Sequence, residues 1–154
     1  MNFTISTIAQ SLAAYLAPVF PGVTFYEDPN QQGTQPPCMF LQTRYAHAKL
    51  RQGGRWLRQI GLDLTYLLDY NLPNMQQLYQ AAAETLDRVM ETFPYSDGIT
   101  EGTTLLRTYD REWRIDLDAM HYKFELQVWA MQPMEEIKMQ TLDYKEEATD
   151  GKAP

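Results

Sequence analysis

Trp56-Leu57-Arg58-Gln59-Ile60-Gly61-Leu62-Asp63-Leu64-Thr65-Tyr66-Leu67-Leu68-Asp69 is the most regular stretch of the chain. From Ile60 onward one parity is wholly apolar (Ile60, Leu62, Leu64, Tyr66, Leu68) and the other is mostly polar. A period of two with one apolar face predicts a half-buried strand. Upstream, Cys38–Leu41 is continuously apolar, as in a strand buried on both faces, and Gly53-Gly54 falls between the two. A tight hairpin needs positive φ at its turn, which glycine supplies. A long antiparallel hairpin is therefore the expected centre of the fold.

Working outward, Ile5, Ile8, Leu12, Tyr15 and Leu16 form one helical stripe. Thr4 or Ser6 stands where an N-cap is needed, and Pro18, Pro21 and Gly22 stop the helix. Val23–Glu27 reads as a short strand, and the proline-rich Asp28–Pro37 as a loop. A second helix has the face Leu78, Tyr79, Ala82, Leu86, Val89, Met90 and Phe93, with Glu84, Asp87, Arg88 and Glu91 opposite. Asn74 with Gln77 resembles a capping box, Glu84 and Arg88 are spaced for an ion pair, and Pro94 ends the helix. Thr103–Thr108, Trp113–Leu117 and His121–Met131 read as strands, with a turn at Asp116–Ala119. The expected class is α+β: a mainly antiparallel sheet with a long projecting hairpin, packed by an N-terminal helix and a central amphipathic helix. Residues 1–132 form the expected domain. Residues 133–154 form an acidic extension that is either a short amphipathic element around Ile137–Leu142 or a tail that orders against a partner.

Composition narrows the function. The 154 residues carry a formal charge of −7 and a single cysteine, so no disulfide framework or multi-cysteine metal site is available within one chain. No run approaches the ~18 apolar residues of a membrane span, and no signal-peptide pattern opens the chain, so a cytosolic site of synthesis is expected. Cys38 reads as a buried small hydrophobe, and His47 and His121 as surface or edge residues. No phosphate loop, nucleophile elbow, calcium loop or helical metal pair is present. The chain is expected to be no enzyme and to need no cofactor.

The charge is unevenly spread. Between Pro29 and Leu62 there is no acid but there are five of the thirteen basic residues, Arg44, Lys49, Arg51, Arg55 and Arg58. The other 120 residues hold eight basic and twenty acidic groups. A solvated hairpin whose cations discourage edge pairing would explain this. So would a positive arm that docks on an acidic surface of an identical neighbour or another protein. Contact with nucleic acid through Arg55-Trp56 and Tyr45 is the third reading. A strand from Trp56 to Leu68 would extend ~43 Å, against a domain diameter of ~40 Å. The hairpin must then bend at Gly61 or project. A projecting arm of one sign on a body of the other suits head-to-tail assembly. Candidate interface residues are Arg44, Lys49, Arg51, Arg55, Trp56 and Arg58. Reversing Arg51, Arg55 and Arg58 to Glu is expected to weaken assembly and spare the monomer.

The order of features also resembles a known family. Phe20-Pro21-Gly22 leads into Val23-Thr24-Phe25-Tyr26, then Gln32-Gly33 and Pro37-Cys38-Met39-Phe40. A basic hairpin, Leu64-Thr65-Tyr66-Leu67, a long helix and the closing stretch Ile115-Asp116-Leu117-Asp118-Ala119-Met120-His121-Tyr122-Lys123-Phe124 follow. Over residues 3 to 131 this is similar to the tail terminator (tail completion) proteins of long-tailed bacteriophages and related prophages. The resemblance implies an α+β subunit of a ring, usually a hexamer, that caps the tail tube, ends its polymerisation and joins it to the head connector. The implied partners are the chain itself, the tube protein and the head–tail connector, with DNA passing through the lumen without sequence-specific binding. The implied location is the virion tail or neck, after assembly in the host cytoplasm. The alternatives are a head–tail connector or stopper protein and a small nucleic-acid-binding domain.

Overall fold

A computed structural model describes residues 1–27, 34–69 and 71–131. The acidic extension, the Gln32-Gly33 pair and most of the proline-rich loop lie outside the described residues. Helix α1 spans Ile5–Leu16 and α2 spans Met75–Val89. The strands are β1 (Thr24–Tyr26), β2 (Cys38–Leu50), β3 (Arg55–Leu67), β4 (Thr92–Tyr95), β5 (Thr104–Ile115) and β6 (Met120–Met131). They form one curled sheet in the order β1-β2-β3-β6-β5-β4, antiparallel except for the β1–β2 pair. The class is α+β, as the periodicities indicate.

The β2–β3 hairpin is longer than the apolar run at Cys38 suggested, because β2 continues to Leu50 and pairs with β3 to the turn. Gly53 and Gly54 take φ of 79° and 73° in a one-turn 3-10 segment, which closes with Arg51 N donating to Arg55 O at 2.7 Å. The hairpin is not a free two-stranded ribbon. β6 runs beside β3 throughout, from Tyr66↔Met120 to Arg55↔Met131.

One face of the sheet carries the core. Ile60, Leu62 and Leu64 from β3 join Tyr122, Phe124 and Leu126 from β6, and Ile8, Leu12, Tyr79 and Leu86 of the helices cover them. Thr4, rather than Ser6, caps α1: its hydroxyl accepts from Thr7 N at 3.1 Å while Thr7 Oγ1 accepts from Thr4 N at 3.3 Å. Asn74 is the N-cap of α2, but its side chain makes no capping bond, so the expected box with Gln77 does not form. Arg88 donates to Thr85 Oγ1 at 3.1 Å rather than pairing with Glu84.

Two elements differ from the sequence reading. Phe93 does not extend α2; it is buried from β4, an edge strand in which the missing N–H of Pro94 leaves no ladder bond unmade. The stretches around Thr103–Thr108 and Trp113–Leu117 form one strand, β5, broken in register between Tyr109 and Glu112. Asp110 sits there with φ 53°. The one extra residue of this bulge interrupts the alternation that would have marked a single strand.

Candidate assembly surface

At the hairpin end, cross-strand partners share a face. Leu50, Trp56 and Ala130 lie on the helix-bearing side, while Lys49, Leu57 and Trp129 lie on the other. Lys49, Arg51 and Arg55 are exposed at this end, and none makes an ion pair among the described residues. The Arg55 guanidinium lies 4.3 Å above the Trp129 ring, a cation–π contact that holds both side chains on the surface. Trp129 is 43% exposed, and Leu50, on the other face of the same end, is 58% exposed. The end of the sheet thus combines three cations with apolar area.

The six expected interface residues do not form one patch. Lys49, Arg51 and Arg55 flank the same turn. Arg44 lies farther back, 5.4 Å from the Tyr45 ring at the β2 bulge. Trp56 is half-buried, and its buried indole N–H has no acceptor among the described residues. Arg58 points to the helix side and donates to the carbonyl of Phe3, so it anchors the N-terminal segment. The expectation that reversing Arg58 spares the monomer is corrected by this contact. Trp129 and Leu50, exposed at the same end of the sheet, stand outside the expected set.

Behind this end, the face opposite the helices is polar and well satisfied. Tyr45 donates to Glu125 Oε1 at 2.6 Å and Gln127 donates to Oε2 at 2.9 Å. Burial works against ionisation of Glu125, but bonds from Tyr45, Gln127 and Gln59 outweigh it and hold the carboxyl below its usual range. The same bond to Glu125 pushes the Tyr45 hydroxyl up. Farther along, Asp63 Oδ2 meets His121 Nδ1 at 2.9 Å and Asp63 Oδ1 accepts from Thr65 at 3.1 Å. Asp116 Oδ2 lies 3.3 Å from His121 Nε2. These carboxylates are held by Tyr45, Gln127, Thr65 and His121 rather than by the arginines and lysine of the basic window.

No reactive constellation assembles among the described residues. Cys38 is buried, and burial pushes its thiol up, away from the thiolate a nucleophile needs. His47 stacks near Tyr45 with ring centroids 5.2 Å apart, on a different row from His121. No three His, Cys, Asp or Glu side chains among the described residues could share a metal ion.

A family model described as phage tail terminator protein matches residues 7–138. The chain belongs to the phage tail terminator family. That match takes in both helices and all six strands except the N-terminal end of α1. No curated protein matches the chain. Tail terminators are structural proteins of the virion tail, which places this chain among tail components.

Proposed function

We propose that copies of this chain close into a ring, of six subunits, that caps the finished tail tube, ends its polymerisation and joins it to the head connector. The match to the tail terminator family across residues 7–138 carries this reading. The end of the sheet at the β2–β3 turn makes the contact between subunits, through Lys49, Arg51 and Arg55. A heterologous contact of this kind joins two different patches and closes into a ring when the rotation between copies divides the circle. DNA passes through the lumen and meets no base-reading surface. Assembly takes place in the host cytoplasm and the product resides at the tail–head junction.

Light scattering of the purified chain, alone and with purified tube protein, tests the reading, together with negative-stain images. Closed rings with a hole wide enough for duplex DNA, seated on tube ends that no longer grow, are the expected result. A chain that stays monomeric alone and leaves tube growth unchanged overturns it.

A further inference from the structure

We infer that the partner of this basic tip in the next copy is the opposite end of the same sheet, the acidic β5–β6 turn with the chain that follows β3. This rests on the ring reading and names the second half of its interface. The ladder between β3 and β6 places the two surfaces at opposite ends of two paired strands. The eleven steps from Arg55 to Tyr66 separate them by roughly 36 Å.

The two ends are opposite in charge and alike in carrying apolar side chains that face water. One end has Lys49, Arg51 and Arg55 with Leu50 and Trp129. The other has exposed Asp69, Asp116 and Asp118 with Leu117, 96% exposed, and Leu72, 40% exposed. Arg114 lies 3.6 Å and His121 Nε2 3.3 Å from Asp116 Oδ2, whereas Asp69 and Asp118 enter no ion pair among the described residues. Beside the turn lies a recess of ≈ 410 Å³ lined by Met75, Gln76, Tyr79, Ile115, Asp116 and Leu117. It offers a socket for an apolar side chain of the arriving tip.

The turn is also well held. Asp116 N donates to Ala119 O at 2.8 Å, and Tyr79 donates to Asp118 O at 3.1 Å while accepting from Leu68 N at 2.9 Å. Leu117 is thus presented on a fixed loop, which lowers the ordering cost of docking. Two tips brought together would set like charges against each other, and so would two acidic ends. The heterologous pairing is the one that opposes charges and buries apolar area on both sides.

The experiment uses the full chain and two double variants, Lys49→Glu with Arg51→Glu at the tip, and Asp69→Lys with Asp118→Lys at the turn. Each set alone is expected to raise the concentration for half-assembly by at least about tenfold. An equimolar mixture is expected to restore assembly, because altered tips then face altered turns and native tips face native turns. A Leu50→Cys, Leu117→Cys variant should give a ladder of disulfide-linked oligomers that neither single cysteine gives, since the native Cys38 is buried. If the wild-type chain forms rings but the turn variant assembles normally, or the mixture stays apart, this inference is overturned and the ring stands. If the wild-type chain forms no ring with or without tube protein, the ring reading fails and takes this inference with it.

Discussion

Tyr45 lies against Gly61 so closely that a Cβ on Gly61 would stand 2.2 Å from Tyr45 Cε2. The β2 bulge between Thr43 and Tyr45 puts the ring over its cross-strand partner, and the hydroxyl reaches on to Glu125. The absence of a side chain at Gly61 therefore makes room for a tyrosine that satisfies a nearly buried carboxylate.

Gly61→Ala is expected to displace the Tyr45 ring and weaken its bond to Glu125. The cost should be about 1–3 kcal/mol, the usual range for overpacking a filled site. Urea denaturation measures it as a lower midpoint. Tyr45→Phe in the same background separates the two contributions: the loss on adding the methyl should persist, while the part owed to Glu125 disappears. An unchanged midpoint for Gly61→Ala would show that the ring can move aside freely.

Much of this arrangement was legible in the residues, and the exceptions have physical causes. The strand from Ile60 onward and the stripe of α1 were readable because one face of each is buried and the other is not. The end of α2 was not, because Met90 and Phe93 are buried whether the chain continues as helix or turns into an edge strand. β5 was split because a bulge destroys period-two alternation. The candidate surface was half legible. Runs of cations are visible in sequence, but Arg58 shares the parity of Ile60 and so turns toward the body, where it finds the Phe3 carbonyl. Nothing in the order of residues pairs Arg55 with Trp129; only the β3–β6 register does.

Arg51 and Arg58 should separate assembly from stability. Arg58→Ala removes a charged donor from the Phe3 carbonyl, which should cost about 1.5–3 kcal/mol in the monomer. Arg51→Glu touches an exposed side chain with no partner among the described residues, so its effect on monomer stability should stay within about 0.5 kcal/mol. Thermal or urea unfolding under dilute, monomeric conditions checks both. Equal losses from the two variants would contradict the placement of Arg58.

Tyr79 is the hinge between α2 and the turn of the proposed contact. Its hydroxyl joins Leu68 N to Asp118 O, and its ring meets Tyr66 edge-on with centroids 5.8 Å apart. Tyr79→Phe keeps the ring and strands a buried backbone N–H, at an expected cost of about 1–3 kcal/mol. Hydrogen exchange should show faster exchange at Leu68 with the rest of β3 unchanged. Exchange that speeds up across the whole sheet would mean that the hydroxyl holds more than this local junction.

Asp97 is expected to contribute to the loss of stability in acid. Its carboxylate accepts from Asn2 N at 2.9 Å, Ile99 N at 2.9 Å, Thr100 N at 2.7 Å and Thr100 Oγ1 at 2.8 Å. The Asn2 amide leads these donors, followed by those of Ile99 and Thr100, and together they hold the carboxyl far below the ordinary carboxylate range. In the unfolded chain the group titrates near its usual value of about 3.9. Stabilisation from the ionised group is therefore complete at neutral pH. It shrinks once pH falls below about 4, where the unfolded chain takes up a proton that the folded chain refuses. Asp97→Asn accepts fewer of these bonds and cannot titrate. It should be less stable at pH 7, and the gap to wild type should narrow as pH falls from about 5 toward 3. Urea midpoints at a series of pH values test this, and a gap that stays constant down to pH 3 would show that Asp97 acts through its shape rather than its charge.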